Sequence, residues 1–216
     1  MVEEYPLPII LASASPRRKQ LLTEAGYRFT VVTSDVDESA FPTDGVSACD
    51  YTKRLALAKA NSVASEHPTS LIIGADTVVD FHRQIIGKAA NAKEAQQITE
   101  RLFSTPHNVV TGIAIVRRGP GVPSGRPHGV APTENEIQLL DSDTTTVYPR
   151  KMTAEQIAEH VAGGSWKDKA GAYAIQETGD EFVEKIEGSL TNVMGLPMEL
   201  LASVLGQLKI SPERKQ

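Results

Sequence analysis

The sequence predicts an α/β protein built on a mixed twisted sheet with flanking helices. Three observations carry this reading: apolar β-type runs alternate with helical patterns early in the chain, the middle is β-rich, and several helical patterns open on a recognisable cap. Taken in order, "PIILAS" (Pro8 to Ser13) reads as a buried strand. A helix follows: Ser15 stands where a cap belongs, Pro16 suits the first helical position, Leu21, Leu22 and Ala25 form the buried face, and Gly26 stops it. Phe29 to Val36 is a second strand, and Val46 to Ser65 a helix with Tyr51, Leu55, Ala58, Ala60 and Val63 on its apolar side.

"SLIIGADTVVDF" is a strong strand signal interrupted by Gly74, Asp76 and Thr77. Asn91 with Glu94 three residues on resembles a capping box ahead of Ala95, Ile98 and Leu102. "NVVTGIAIVRR" and "IQLLDSDTTTVY" are β-rich. Thr153 with Gln156 repeats the box before Ile157 and Val161, and Gly163 and Gly164 end that helix. "AGAYAIQ" and "FVEKIEG" read as short strands, and Pro197 to Leu208 as a closing amphipathic helix. Arg117 to Asn135 holds four glycines and four prolines in nineteen residues. That is far longer than the ~2–5 residues of a usual hairpin loop. It reads as an insertion between paired strands, within a single domain spanning residues 1–216.

Composition narrows the function. With 40% hydrophobic and 23% charged residues, a sizeable core is expected. The net charge of -5 argues against broad binding to nucleic acid or an anionic membrane, yet allows a local basic pocket for a small polyanion. Cys49 is the only cysteine, so an internal disulfide is excluded and a cysteine-based zinc site is not expected. The opening "MVEEYPLPIILAS" has acids where a signal peptide carries bases, and no apolar run nears the ~18 residues of a membrane span. A reduced, cytoplasmic setting is expected.

The chemistry-bearing residues stand where core physics would not place them. "LASASPRR" puts Arg17 and Arg18 at a strand-to-helix junction, where free N–H groups and guanidinium groups together attract anions. Asp76 within an apolar strand is costly unless paired, hydrogen-bonded or metal-bound. It reads either as the cap of a strand end or as a metal ligand or general base. Glu38, just after the second strand, is the natural second carboxylate, since two carboxylates and water are how Mg2+ is commonly held beside phosphates. Lys59, Lys88 and Lys169 could neutralise phosphate oxygens. Walker A, G-x-G-x-x-G, H-E-x-x-H and G-x-S-x-G patterns are absent, and the histidines at 67, 82, 107, 128 and 160 show no triad partners. His107 reads as structural, and Trp166 as a cover over the core.

Five segments then resemble one family in its own order: "LASASPRRKQLL", "GADTVV", "IIGK", "DKAGAYAIQ" and "IEGSLTNVMGLP". Together they are similar to the Maf nucleoside triphosphate pyrophosphatases over nearly the whole chain. The resemblance implies two lobes around a nucleotide-binding cleft. It also implies hydrolysis between the α- and β-phosphates of a triphosphate, with a divalent metal (Mg2+ or Mn2+). The family's phosphate-binding serine and arginines fall on Ser13, Arg17 and Arg18, its acids on Glu38 and Asp76, and its lysines on Lys59 and Lys88. Asp76 and Glu38 are thereby the implied metal ligands, and Asp76, Glu38 and Lys59 the implied catalytic residues. Arg18, Thr77 and Gln176 resemble the branch acting on dTTP and UTP. Ala89 replaces the proline common after the "GK" lysine, and the Gly-Pro-rich insertion is atypical. A homodimer is expected. Two rivals stay open: a non-catalytic nucleotide-binding regulator of cell division or septum formation, and a pyrophosphatase for a modified nucleotide.

Overall fold

The computed structural model describes residues 7–119, 136–173, 175 and 183–213. Its strands are β1 (Ile9–Leu11), β2 (Thr30–Val31), β3 (Leu71–Phe81), β4 (Gln84–Ile86), β5 (His107–Arg117), β6 (Ile137–Pro149) and β7 (Val183–Glu187). They form one sheet in the order β2-β1-β3-β5-β6-β7, with β4 added to β3. β2, β1 and β3 pair in parallel, because α1 (Pro16–Glu24) and α2 (Ala48–Ala64) carry the chain back between them. The remaining pairings are antiparallel. The mixed, helix-flanked sheet is thus present. α3 (Ala92–Leu102), α4 (Ala154–Gly163), α5 (Leu190–Val193) and α6 (Met198–Gln207) complete the described helices.

Side chains alternate across a strand, so β3 feeds two layers at once. Leu71, Ile73 and Ala75 join Leu21, Leu22, Leu201 and Leu205 on one face, while Ile72 joins Ala56, Ala60 and Val63 of α2 on the other. A separate core forms at the far end of the long strands, where Val79, Phe81, Val109 and Val147 meet Leu102, Ile157 and Trp166. The polar stretch of β3 lies between these cores.

Several local expectations need correction. The second strand pairs over only two residues, because the chain leaves the sheet and Thr33, Ser34 and Val36 line a cavity. Ser15 is the N-cap of α1 by position, but its side chain makes no capping bond; its N–H donates to Ser13 Oγ at 3.2 Å. Asn91 accepts from Glu94 N–H, yet Glu94 accepts from Ala90 N–H, so that box is not reciprocal, whereas the Thr153–Gln156 box is. "AGAYAIQ" is no strand over its described residues. Ala170 makes one bridge to Lys88, and Gly171 (φ 70°) and Ala172 (φ 58°) turn left-handed. Strand β4 and helix α5 were not expected. The Gly-Pro-rich stretch joins strands paired up to Arg117↔Ile137, and its residues 120–135 lie outside the described residues.

One close approach sets up the site. A Cβ on Gly74 of β3 would stand 2.2 Å from the Ala56 carbonyl oxygen, and one on Gly112 of β5 would stand 2.4 Å from the Thr52 backbone. Two bare positions on neighbouring strands let α2 lie directly on the sheet backbone. That brings Lys59 of α2 within 2.7 Å of Asp76 on β3.

Candidate active site

On one edge, β3 pairs with β1 through residues 71–73 and with β4 through residues 79–81. Between them the edge has no strand partner, and a cavity of about 690 Å³ opens at this gap. Asp76 therefore does not cap a strand end, since β3 continues through it to Phe81. Ser13, Arg17, Arg18, Glu38, Lys59, Asp76, Thr77, Lys88 and Lys169 all line the cavity. Gln176 lies outside the described residues.

The charged centre is built around one ammonium. Lys59 Nζ donates to Asp76 Oδ1 and to Glu38 Oε1, both at 2.7 Å. Those two carboxylate oxygens are therefore at most 5.4 Å apart (2.7 plus 2.7). Lys88 Nζ lies 3.5 Å from Glu38 Oε2. Lys59 is thus engaged by acids, with one of its three N–H bonds left over. The two acids respond differently to the same neighbour. Burial pushes the Asp76 carboxyl above its ordinary range despite Lys59 and Arg18. For Glu38 burial also pulls upward, but the Lys59 hydrogen bond and charge, with Lys88, hold it below that range. The side-chain exposures explain the difference: 9% for Asp76 and 41% for Glu38. Glu38 reaches the centre from a 3-10 turn (Glu38–Ala40) capped by the Asp37 carboxylate.

Arg18 faces inward. Its Nε donates to Gly195 O (2.7 Å), Nη1 to Ala75 O (2.8 Å) and Ser13 Oγ (3.2 Å), and Nη2 to Thr77 Oγ1 (3.0 Å). Four of the five guanidinium N–H donors are thereby committed to the protein. One of them satisfies the Ala75 carbonyl beside the gap in the sheet. Burial lowers the Arg18 pKa, against the pull of Asp76 and Glu38. Gly195 sits at φ +106°, and a Cβ there would lie 3.4 Å from Thr77 Oγ1 and 3.5 Å from Arg18 Nε. The left-handed backbone favours glycine here, and any side chain would stand against Thr77 and Arg18.

The cavity also has an apolar part, lined by Val109, Tyr173, Ile175, Val193 and Met194. Tyr173 is buried and its OH lies 2.8 Å from His107 Nε2. Its phenol pKa is raised by burial. The segment "SLTNVMG" was legible as a motif, but Asn192 and Gly195 were not singled out within it, because each offers a backbone carbonyl as acceptor (to Thr111 and Arg18) and Gly195 adds a bare Cα.

Among the described residues no group of three histidine, cysteine or acidic side chains converges on one point. A divalent cation would still find two convergent carboxylates, Asp76 and Glu38, in an all-oxygen donor set. That set fits Mg2+ or Mn2+, with water and phosphate oxygens completing the shell.

A "dTTP/UTP pyrophosphatase" of Citrifermentans bemidjiense is 40% identical over 190 residues, 88% of this chain and 90% of its own length. Proteins with the same name in Geotalea uraniireducens and Symbiobacterium thermophilum are 41% and 36% identical, over 88% and 92% of this chain and 89% and 93% of their own. The solved structure of the Staphylococcus aureus Ham1 protein aligns with 93% of this chain and 99% of its own at a TM-score of 0.48 and 12% identity. The family model described as "Maf-like protein" matches residues 8–208, and the chain belongs to that family.

Proposed function

We propose that this chain hydrolyses nucleoside triphosphates between the α- and β-phosphates, releasing the monophosphate and pyrophosphate, with UTP and dTTP favoured. One observation carries the reading: a single cavity joins a charged wall to an apolar one. Ser13, Arg17, Lys88 and the Asp76–Lys59–Glu38 centre suit a chain of phosphates. Val109, Tyr173, Val193 and Met194 suit a flat base. The relatives named dTTP/UTP pyrophosphatase support the choice of bases.

Water is the nucleophile in this reading. Ser13, the buried serine of the cavity, accepts from Arg18 and Ser15 N–H and has no base beside it among the described residues. Asp76 takes a proton from water as the water oxygen bonds to the α-phosphorus. The bond from that phosphorus to the α–β bridging oxygen breaks, and the oxygen departs with pyrophosphate. Lys88, Arg17 and the remaining Lys59 donor stabilise charge gathering on the phosphate oxygens. Asp76 and Glu38 would hold the divalent cation, which when bound supplies Lewis-acid neutralisation of that charge.

No described helix is long and apolar enough to cross a membrane. The reading extends to a cytoplasmic homodimer. The central test is pyrophosphate release from UTP, dTTP, CTP, ATP and GTP, with Mg2+ or with excess chelator. UTP and dTTP should exceed the others by at least ~10-fold, the worth of one good hydrogen bond. Chelation should abolish release. Release from none of the five would overturn the reading.

A further inference from the structure

Behind the cavity wall stand Thr111 of β5 and Asn192 of α5, both 0% exposed and neither lining the cavity. They join Thr77 through a chain of hydroxyl contacts whose direction can be worked out, because a hydroxyl has one hydrogen and two acceptor positions. Thr111 Oγ1 lies 2.9 Å from the Asn192 carbonyl oxygen, which can only accept, so the Thr111 hydrogen goes there. In its 2.9 Å contact with Thr77 Oγ1, Thr111 must then accept, and the Thr77 hydrogen points inward. The alternative places the Thr77 hydrogen on Gly195 O at 3.5 Å, a poorer bond that still turns it toward protein. Arg18 Nη2 fills one acceptor position of Thr77 Oγ1 at 3.0 Å. A single acceptor position is left for the cavity.

Asn192 is held so that its carbonyl keeps this direction. Its Nδ2 donates to Val109 O (3.0 Å) and Thr145 Oγ1 (2.9 Å), and its N–H donates to Ser189 Oγ (3.2 Å). Thr145 Oγ1 donates in turn to Ser189 O at 3.0 Å and accepts from Ser189 N–H at 3.0 Å. The hydroxyls that fix the direction are thus tied to β5, β6 and the turn ahead of α5.

We propose that Thr111 and Asn192 are positioning residues that set the polarity of Thr77, so that Thr77 meets the substrate only as a hydrogen-bond acceptor. This rests on the triphosphate reading above. The group selected is an N–H or O–H of the nucleotide, while phosphate oxygens and carbonyls are refused. That donor is either the ring imide N–H of uracil and thymine, where cytosine has a bare nitrogen, or the sugar 3′-hydroxyl, which UTP and dTTP share.

The test compares kcat/KM for UTP, CTP and the 2′- and 3′-deoxy analogues of UTP in wild type, Thr111→Val and Thr111→Ser. Valine keeps the shape in a strand but removes the hydroxyl, which leaves the Thr77 hydrogen only the poorer 3.5 Å contact with Gly195 O and so lets it turn to donate into the cavity. If the imide is read, Thr111→Val narrows the UTP-to-CTP ratio about 10-fold, the worth of one good hydrogen bond. If the sugar 3′-hydroxyl is read, the ratio of UTP to its 3′-deoxy analogue narrows instead. Thr111→Ser, which keeps the hydroxyl, restores the wild-type ratio, whereas a packing role would shift only the urea midpoint. Unchanged ratios in folded Thr111→Val overturn the inference. A wild-type protein without triphosphate hydrolysis overturns the functional reading and this inference with it. Should Thr111→Val not fold, Thr111→Ala removes the same hydroxyl and carries the same expectation.

Discussion

Acid should unfold this protein partly through one histidine. His107 opens β5, is 3% exposed, and sets Nε2 2.8 Å from the Tyr173 hydroxyl and Nδ1 3.5 Å from the Thr105 carbonyl oxygen. Burial pulls its pKa down from 6.5 to about 4. The folded state therefore keeps the ring neutral under conditions where the unfolded chain takes up a proton. Stability from this source is complete above the unfolded pKa and is lost as pH falls through 6.5 toward 4. At about 1.4 kcal/mol per unit, the full shift is worth ~3 kcal/mol, and most of it is gone by about pH 4.5. The assay is urea unfolding from pH 7.5 to 4.5 for wild type and His107→Gln, whose amide can still meet Tyr173 but does not titrate. Titration of the carboxylates is common to both proteins and cancels in the difference. Wild type should lose ~2–3 kcal/mol more than the variant across that range. Parallel curves would refute the argument.

Three further outcomes are expected at the site. Asp76→Asn should lower kcat by at least ~100-fold, the usual scale for a general base, with an unchanged circular dichroism spectrum; near-normal turnover would remove Asp76 from its role. Lys59→Met should cost ~3–5 kcal/mol in urea unfolding at neutral pH by leaving Asp76 buried without its partner. Adding Asp76→Asn to that variant should recover part of the loss, and strict additivity would show that the pair is not coupled. Gly195→Ala should cost ~1–3 kcal/mol through its backbone conformation. It should also raise KM for UTP by covering Thr77 and Arg18, and an unchanged KM would show that this face does not meet substrate.

The parts of the site legible in the sequence were those where a residue type conflicts with its surroundings. Asp76 and Thr77 stand out because they break an apolar run, and Arg17 and Arg18 because they follow a strand in an acidic chain. What opens the cavity was not legible. It depends on β1 ending at Leu11 while β4 rejoins β3 only at residues 79–81, a pairing between segments with no common pattern. The inward use of Arg18 was hidden for a similar reason, since two of its acceptors are the backbone carbonyls of Ala75 and Gly195, which no side chain announces. The placing of Lys59 against two acids depends on α2 lying on Gly74 and Gly112, and single glycines within strands read equally well as weak points.

The distribution of charge ties these features to the kind of ligand admitted. Six cationic residues line the cavity (Arg17, Arg18, Lys59, Lys88, Lys167 and Lys169), against three acids (Glu38, Asp76 and Asp168), a local balance of +3. The whole chain carries -5, so the residues outside the cavity sum to -8 (-5 minus +3). An extended polyanion such as nucleic acid would face that negative exterior over most of its length. A compact triphosphate would meet the positive balance at the cavity, where low-dielectric walls concentrate the field. Inside, Lys59 and most of Arg18 are engaged by protein partners; in the proposed reading Lys88, Arg17, the third Lys59 donor and a cation held by the two acids would meet the phosphates. Cations that gripped the phosphates equally before and during cleavage would give uniform binding, and binding of that kind does not speed the chemical step. In the proposed reading a divalent cation held by Asp76 and Glu38 would supply charge that counters the negative charge gathering on the phosphates in the transition state. Charge supplied in that way would favour the transition state over the bound substrate.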